Sequence, residues 1–347
     1  MVGTSSDDLD YPVTGQPEDG HSREVETGLL WIRLPLPYRL NHVNVWAIDD
    51  GDGWTVVDTG LADSRTRGIW EDLLAGPLLG RAVNRVIATH FHPDHIGLAG
   101  WLTERTGACF AASLADWLFA RALSADSSAG LETSMERFYR RAGLDAETLA
   151  AIVARGNSYA RSVDTIPPTL TRLRHGDALA IGESMWRVIT GGGHTPESVC
   201  LYRPQTPLLI SGDQVLPRIS PNVSVWPNEP DADPLSDFLA SFDALLALPD
   251  DVLVLPSHGR PFRGLHRRLA ALRAHHEERL AEIETFCRTP RTAAQVADRL
   301  FGGGLDPHQA VFAVGEAIAH LNHLIRHGTL ERRDDPAGFD LYSRAGG

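Results

Sequence analysis

A short segment, HFHPDH, places four potential metal ligands within six residues: His90, His92, Asp94 and His95. Imidazole nitrogen and carboxylate oxygen are the ligand types with which proteins bind zinc and neighbouring divalent ions. The segment follows NRVIATH, a short apolar run that predicts a buried strand. A strand end followed by a tight loop can turn several side chains towards one point. The pattern therefore favours a metal site over a solvated polar loop with coincidental histidines.

Three further candidate ligands occupy similar places along the chain. His194 follows the strand-like run MWRVIT, Asp213 follows PLLI, and His258 follows VLVL. Open α/β sheets collect their ligands at the carboxyl ends of strands. Any one of these residues alone is more often a structural histidine or a capping aspartate. Together with HFHPDH they make a set of seven candidate ligands, for which chance is a poor explanation.

The elements that must position these residues are interleaved strands and helices, which predict the α/β class. Residues 1–26 are acidic and rich in Gly, Pro and Ser, so we expect a flexible tail, or one that orders only by draping over the body. Residues 27–287 form the predicted main domain, with a helical insertion at about 107–168. Residues 288–347 predict two helices and a small hairpin, the order expected of a winged-helix module.

Charge and composition narrow the possible partners. The 347 residues carry 32 Lys and Arg against 45 Asp and Glu, a net charge of −13 that repels phosphate backbones. Nucleic acid is therefore an unlikely partner. The 3 cysteines are far apart and form no CxxC pair, which fits a reducing compartment. No secretory signal or membrane-length apolar run is recognisable, so we expect a soluble, cytoplasmic protein without a membrane partner.

The motif HFHPDH resembles the HxHxDH hallmark of the metallo-β-lactamase superfamily, and the later candidate ligands match the family's further metal motifs in order. The resemblance spans about residues 28–262. It implies a four-layer αββα sandwich, here with a small C-terminal winged-helix-like domain. It also implies two divalent metal ions. Zn²⁺ is the expected metal, and iron or manganese are the alternatives. The implied ligands are His90, His92 and His194 for the first ion, Asp94, His95 and His258 for the second, and Asp213 as the bridge.

The same resemblance assigns roles to two aspartates. Asp58, in VVDTG, matches the family's early aspartate, which supports the metal loop from outside the ligand set. The alternative is that Asp58 merely ends a strand. Asp94 is the expected catalytic residue, because besides binding metal it would orient a hydroxide that bridges the two ions.

The implied function is a metal-dependent hydrolase that attacks the carbonyl bond of a small acyl substrate: a thioester, an ester or a lactone. The order of motifs is similar to the branch of glyoxalase II and LACTB2-type proteins, which includes thioesterases, esterases or lactonases and a few nucleases. The alternatives are an endoribonuclease or phosphodiesterase with the same ions, and a non-enzymatic binding or regulatory protein on the same fold. Iron-dependent dioxygenases of the superfamily resemble the chain less, because they usually supply three protein ligands to one iron.

Five residues near the candidate ligands are possible substrate contacts. They are Arg218, Asn222 and Trp226 in the loop QVLPRISPNVSVWPNEP, Arg260 in PSHGRP, and Tyr159 in the insertion. The alternative interpretation is a helix-capping or surface-paired arginine and a core aromatic.

Two expectations concern the last third of the chain. A long amphipathic helix is predicted from about residue 264 to 287, with Arg267, Arg268, His275 and His276 on a solvated, charged face. The C-terminal module lacks a dense Lys/Arg stripe. We therefore expect it to pack on the main domain or to mediate a homodimer rather than to bind a duplex.

Overall fold

The computed structural model describes residues 9–78, 80–126 and 128–346. The strands are β1 (Ser22–Glu26), β2 (Leu29–Pro35), β3 (His42–Asp50), β4 (Gly53–Val57), β5 (Ala82–Ile87), β6 (Cys109–Ala112), β7 (Thr171–Arg172), β8 (Ala178–Ile181), β9 (Ser184–Gly191), β10 (Ser198–Arg203), β11 (Leu208–Gly212), β12 (Leu253–Pro256), β13 (Leu330–Asp334) and β14 (Asp340–Arg344). The helices are α1 (Ser64–Ala75), α2 (Pro93–Ile96), α3 (Ala99–Thr106), α4 (Leu114–Ala125), α5 (Ala129–Arg141), α6 (Ala146–Ala154), α7 (Pro234–Leu246), α8 (Leu265–Phe286), α9 (Ala293–Phe301) and α10 (Pro307–Arg326).

Two sheets form the middle of the main domain. One has the strand order β1-β2-β3-β4-β5-β6-β7, antiparallel up to β4 and parallel beyond it. The other has the order β12-β11-β10-β9-β8, antiparallel except for the parallel pair β11–β12. Their inner faces pack together through one cluster of buried side chains, in which Trp31 and Trp46 of the first sheet join Trp186 and Val188 of the second.

Helices cover both outer faces, because each sheet is apolar on both sides. Trp70 of α1 and Leu102 of α3 lie in the core of the first sheet's outer face. Phe238 of α7 and Leu269 of α8 lie in the core of the second sheet's outer face. Sheets buried on both faces read as near-continuous apolar runs, as β4 and β11 do. The four-layer αββα sandwich predicted from the sequence is confirmed.

The C-terminal elements α9, α10 and the β13–β14 hairpin form a small domain with its own buried cluster. Helix α10 packs against α6, α7 and α8 of the main domain, and most of its residues are buried. Phe138 and Tyr139 of the insertion contribute to the same cluster. The small domain therefore rests on the insertion and on the second sheet's helices.

The N-terminal segment differs from the predicted flexible tail over its described part. The prediction for residues 1–8 lies outside the described residues. Further on, β1 pairs with β2, and the backbone of Asp10 bridges that of Arg263, whose N–H donates to the Asp10 carbonyl at 2.8 Å. The described part of the segment is ordered because its backbone groups form hydrogen bonds with the main domain. This agrees with the alternative prediction, in which the tail orders by packing over that domain.

The prediction of a solvated face on the long helix is wrong for two residues. Arg268 and His276 are 3% and 0% exposed. The Arg268 guanidinium donates to the carbonyls of Leu216 and Ile219 at 2.5 and 2.7 Å. These two side chains are buried because α10 and the loop after β11 cover them, an arrangement of distant segments that helical periodicity does not reveal. Among the described residues, no helix is long and apolar enough to cross a membrane.

Candidate metal centre

The HFHPDH segment lies where β5 ends and the short helix α2 begins. Pro93 is the first residue of α2, a position at which its fixed φ suits a helix and its missing N–H costs nothing. The strand end and this helical turn bring His90, His92, Asp94 and His95 into one cluster. The Nε2 of His90 lies 3.0 Å from the Nδ1 of His92, and its ring lies 3.8 Å from that of His95 between centroids.

The three remaining candidate ligands come from the second sheet and meet the same cluster. Asp213 directly follows β11, and His258 follows β12 by two residues. His194 lies in the loop after β9, where Gly193 has a φ of 96° and approaches α7 so closely that a Cβ would lie 2.3 Å from the Phe238 Cβ. A glycine is required at such a position. The sequence-predicted set of seven is thus brought together at the edge between the sheets.

The seven side chains form three groups, and the group of His90, His95 and Asp213 shares a histidine with each of the other two. In one, ligand atoms of His90, His92 and His194 all lie within 4.8 Å of one another. In the other, the same holds for Asp94, His95 and His258.

Asp213 lies between the two groups. Its Oδ2 is 3.5 Å from the Nε2 of His194 in the first group and 3.4 Å from the Nε2 of His258 in the second. Its Oδ1 is 3.7 Å from the Nε2 of His95. Each carboxylate oxygen therefore faces imidazole nitrogens.

Two buried polar atoms indicate that the cluster fits cations. The Nε2 of His95 and the Oδ1 of Asp213 are buried, and neither has a hydrogen-bond partner within the described part of the chain. Buried polar atoms without partners are costly, and buried charges are normally paired or coordinate metals. Because both atoms point into a group of nitrogen and oxygen donors, the residues present fit divalent ions.

The electrostatics of the cluster agree with this fit. Burial, followed by the neighbouring imidazoles, holds the pKa values of His90 and His92 well below the usual range, so both are neutral and able to ligate. Burial opposes ionisation of Asp213, but the histidines around it lower its pKa overall. Burial also lowers the pKa of His95, whereas three surrounding carboxylates outweigh it and raise that pKa to about 10. The three carboxylates around His95 therefore favour a positive charge at this place even without a bound metal ion.

Asp58 holds the HFHPDH segment in place through hydrogen bonds to His95 and to Thr89, which directly precedes the segment. Its carboxylate accepts hydrogen bonds from the backbone N–H of Thr89 at 2.7 Å, the Thr89 hydroxyl at 2.8 Å and the Nδ1 of His95 at 2.8 Å. Its φ of 65° is the only positive value for a non-glycine residue within the described ranges. Aspartate tolerates this left-handed conformation better than most residues.

Backbone carbonyls orient two other candidate ligands. The Nδ1 of His194 donates to the Asn222 carbonyl and the Nδ1 of His258 donates to the His42 carbonyl, each at 2.7 Å. The Nε2 of each ring is thereby directed at the cluster. Such outer partners fix the tautomer and the ring direction of a ligating histidine.

Sequence reasoning missed Asp116, which joins the two ligand loops. Its carboxylate accepts from the backbone N–H groups of Phe91 in the first loop and Glu197 in the loop after His194, both at 2.9 Å. Burial raises its pKa to about 6 although these bonds oppose the rise. The only signal in the sequence is the S-x-x-D spacing from Ser113, whose hydroxyl caps α4. That spacing indicates a helix start and says nothing of the distant loops.

Tyr38, which is within electrostatic reach of Asp94, and His308, which contacts Tyr38, also escaped the sequence analysis. Burial, followed by the negative charge of Asp94, raises the pKa of the Tyr38 hydroxyl. The Tyr38 ring stacks on His308 at the start of α10, with centroids 5.7 Å apart. Tyr38 is therefore within electrostatic reach of Asp94 and in contact with the C-terminal domain.

The five predicted substrate contacts have diverse surroundings. Arg218 is exposed, and the Trp226 ring packs edge-on against Phe312 of α10. The Tyr159 hydroxyl donates to the Phe91 carbonyl at 2.7 Å, in the metal loop.

The side chains of the other two residues, Arg260 and Asn222, form hydrogen bonds within the protein itself. The guanidinium of Arg260 donates to the Val13 carbonyl at 2.8 Å and lies over the Tyr11 ring. The side chain of Asn222 donates to Glu316 at 3.1 Å and accepts from Ser224 at 2.7 Å. Both side chains are thus occupied in internal contacts.

One further group of possible ligands lies away from the cluster: Asp233, His323 and His327. Asp233 is the N-cap of α7, where its two oxygens accept from the backbone N–H and the hydroxyl of Ser236. His323 pairs with it at 3.3 Å. Helix capping accounts for this group.

Comparisons with known proteins agree with this geometry. The chain matches the family described as "Metallo-beta-lactamase superfamily" over residues 38–258, and "Metallo-beta-lactamase-like, C-terminal domain" over residues 280–345. It is 24% identical to the probable metallo-hydrolase YqjP of Bacillus subtilis (strain 168), over 84% of this chain and 91% of that protein. It is 25% identical to the human acyl-coenzyme A thioesterase MBLAC2, over 68% of this chain and 79% of that protein.

Solved structures extend the likeness to the whole chain. A beta-lactamase domain protein from Burkholderia ambifaria is 41% identical, with a TM-score of 0.91 and coverage of 98% of this chain and 99% of that chain. A metallo-beta-lactamase family protein from Thermus thermophilus is 29% identical, with a TM-score of 0.79 and coverage of 92% and 100%. The αββα architecture, the ordered His and Asp motifs and these matches lead to one conclusion. The chain belongs to the metallo-β-lactamase superfamily.

Proposed function

We propose that this protein is a dinuclear metal-dependent hydrolase that cleaves the carbonyl bond of a small acyl substrate, with thioesters as the first class to test. The observation that carries the proposal is the place of Asp213. Its carboxylate lies 3.5 Å from a histidine of one ligand group and 3.4 Å from a histidine of the other. A carboxylate so placed suits a ligand shared by two ions.

The proposed ligands are His90, His92 and His194 for one ion, Asp94, His95 and His258 for the other, and Asp213 for both. The mixed nitrogen and oxygen donors favour Zn²⁺, with iron and manganese as alternatives. Divalent ions held here would supply a nucleophile from water near neutral pH and polarise the scissile carbonyl.

Asp94 is the proposed catalytic residue. Its side chain is 21% exposed, whereas those of His95 and His258 are nearly inaccessible, so it faces the mouth of the cluster. Its Oδ2 faces the nitrogens of these two histidines at 3.6 and 3.5 Å. In this proposal its Oδ1 would accept a hydrogen bond from the attacking water and orient it towards a bound carbonyl.

Two observations favour a small acyl substrate over nucleic acid. The net charge of −13 disfavours a polyanion. Relatives that cover most of the chain include an acyl-coenzyme A thioesterase. A cytoplasmic location is part of the same proposal.

The decisive experiment measures metal content and hydrolysis on the same samples. The variants are Asp213→Ala and His258→Ala, with the exposed His21→Ala as a matched control. We expect about two ions per chain in the wild type and the control, fewer in both ligand variants, and turnover of acyl thioesters, esters or lactones that falls with metal content. A fully loaded protein that cleaves only bis(p-nitrophenyl) phosphate or RNA would replace the acyl proposal with the phosphodiesterase one. Sub-stoichiometric metal in the wild type would refute the dinuclear site.

A further inference from the structure

We propose that helix α10 of the C-terminal domain belongs to the metal centre, with Glu316 as a positioning residue that acts on His194 through Asn222. The inference rests on the metal role proposed for His194. Glu316 Oε2 accepts from the Asn222 Nδ2 at 3.1 Å, and the Asn222 carbonyl accepts from the His194 Nδ1 at 2.7 Å. Two hydrogen bonds in series thus connect a carboxylate of the C-terminal domain to an imidazole whose Nε2 faces the other ligands.

The segment 222–226 is held against α10 along its length. The Val225 N–H donates to the Gly315 carbonyl at 3.0 Å, and the Ser224 hydroxyl lies 3.3 Å from the carbonyl of Phe312. At Gly315 a Cβ would lie 2.9 Å from the Val225 carbonyl oxygen and 3.0 Å from the Ser224 hydroxyl oxygen. The close approach of helix and segment therefore depends on a glycine.

A second route joins the same turn of α10 to the same loop. The Nδ1 of His320 lies 2.8 Å from the Glu316 carbonyl, which can only accept, so this nitrogen donates. The Nε2 of His320 then accepts from the Nδ1 of His276 at 3.1 Å, and the Nε2 of His276 faces the Ser220 hydroxyl at 3.4 Å. Both routes fix the loop that carries Asn222 relative to α10.

The consequence for the metal centre follows from what a fixed second nitrogen does for a ligand. A ligating histidine whose other nitrogen has a rigid acceptor keeps its ring direction, and loss of such a partner typically lowers metal affinity 10–100-fold. Glu316→Ala leaves the half-buried Asn222 amide without its acceptor and loosens the carbonyl that holds His194. Glu316→Gln retains an oxygen that can accept from the same amide.

The test is a titration of the full-length, metal-stripped protein with Co²⁺, followed by visible absorption, which reports ligand geometry independently of hydrolysis. The samples are the wild type, Glu316→Ala, Glu316→Gln and the control Asp340→Ala. Asp340 is a buried carboxylate of the same domain that pairs with Arg141 rather than with Asn222. We expect Glu316→Ala to bind one of two Co²⁺ ions about 10–100-fold more weakly and with altered bands, and the other variants to stay within about threefold of the wild type.

Each outcome separates the inference from the proposed function. Wild-type affinity and bands in Glu316→Ala would overturn the positioning role, while two ions in the wild type would leave the proposed function intact. No Co²⁺ binding by the wild type would overturn the metal centre and this inference with it. If Glu316→Ala does not fold by circular dichroism, Gly315→Ala replaces it, because alanine favours the helix but pushes against Ser224 and Val225. Unchanged Co²⁺ binding in that variant would equally overturn the inference.

Discussion

Replacing Asp58 tests whether the residue behind the metal loop controls both stability and metal affinity. The carboxylate is buried and accepts three hydrogen bonds, two from Thr89 and one from His95, all at 2.7–2.8 Å. In Asp58→Asn one oxygen becomes an NH₂ group, which cannot accept. At least one donor then lies buried opposite another donor. Loss of a hydrogen bond to a charged group costs about 1.5–3 kcal/mol, which is the expected fall in the free energy of unfolding of the metal-free protein.

The same change is expected to weaken the ion held by His95. Losing an outer partner of a ligating histidine typically lowers metal affinity 10–100-fold, which corresponds to about 1.4–2.7 kcal/mol. Urea unfolding of the metal-free protein gives the first quantity, and competition with a chelating indicator gives the second.

The positive φ of Asp58 provides the control. Asp58→Ala and Asp58→Gly both remove the carboxylate, but glycine adopts a φ of 65° without strain. We expect the glycine variant to be roughly 1 kcal/mol more stable than the alanine variant, with the same metal affinity. An Asp58→Asn protein with the unfolding midpoint and both metal affinities of the wild type would refute the reasoning.

Buried groups and the metal ions give three further predictions. Asp116→Ala leaves the backbone amides of Phe91 and Glu197 without their acceptor. The free energy of unfolding, measured in urea, should therefore fall by about 2–4 kcal/mol. A change below about 0.5 kcal/mol would contradict the role of Asp116 in joining the two loops. Burial lowers the pKa of His276 to about 2 and that of His320 to about 4. Both stay neutral in the fold while the unfolded chain takes up protons, so their contribution is complete above about pH 6.5 and is lost as the pH falls, towards about 4 for His320 and about 2 for His276. Replacing both by glutamine should flatten this part of the stability–pH curve, and an unchanged slope would exclude them as its cause. Removal of metal with a chelator should lower the melting temperature by several degrees, and adding Zn²⁺ should restore it; a melting temperature insensitive to chelator would argue against tightly held ions.

The cluster of candidate metal ligands was predictable because short stretches of sequence identify its members. His90 to His95 lie within six residues, and Asp213 and His258 each follow a recognisable apolar strand. The αββα layers were predictable only through the family that the HFHPDH motif resembles, whereas the interleaved strands and helices predict no more than the α/β class.

The features that the sequence analysis missed depend on contacts between distant segments of the chain. Asp116 acts on backbone amides 25 and 81 residues away, and an isolated aspartate in a helical insertion gives no sign of that. The burial of His276 depends on α10, which lies well beyond it along the chain. Periodicity identified the helix but could not show that its charged face would be covered.

The division of the ligands between the two sheets has a consequence for how the protein matures. One proposed ion would take His90 and His92 from the end of β5 and His194 from beyond β9, so its ligands lie on opposite halves of the sandwich. Neither half alone offers the complete set, and the chain must complete both sheets before either ion is held fully. Metal binding would therefore come late in folding and would stabilise the two sheets once they have packed together. A newly made chain short of metal would keep its layers, which the apolar cluster between the sheets holds together, but it would lack the metal link at their edge. We expect limited proteolysis of the metal-free protein to begin at that edge.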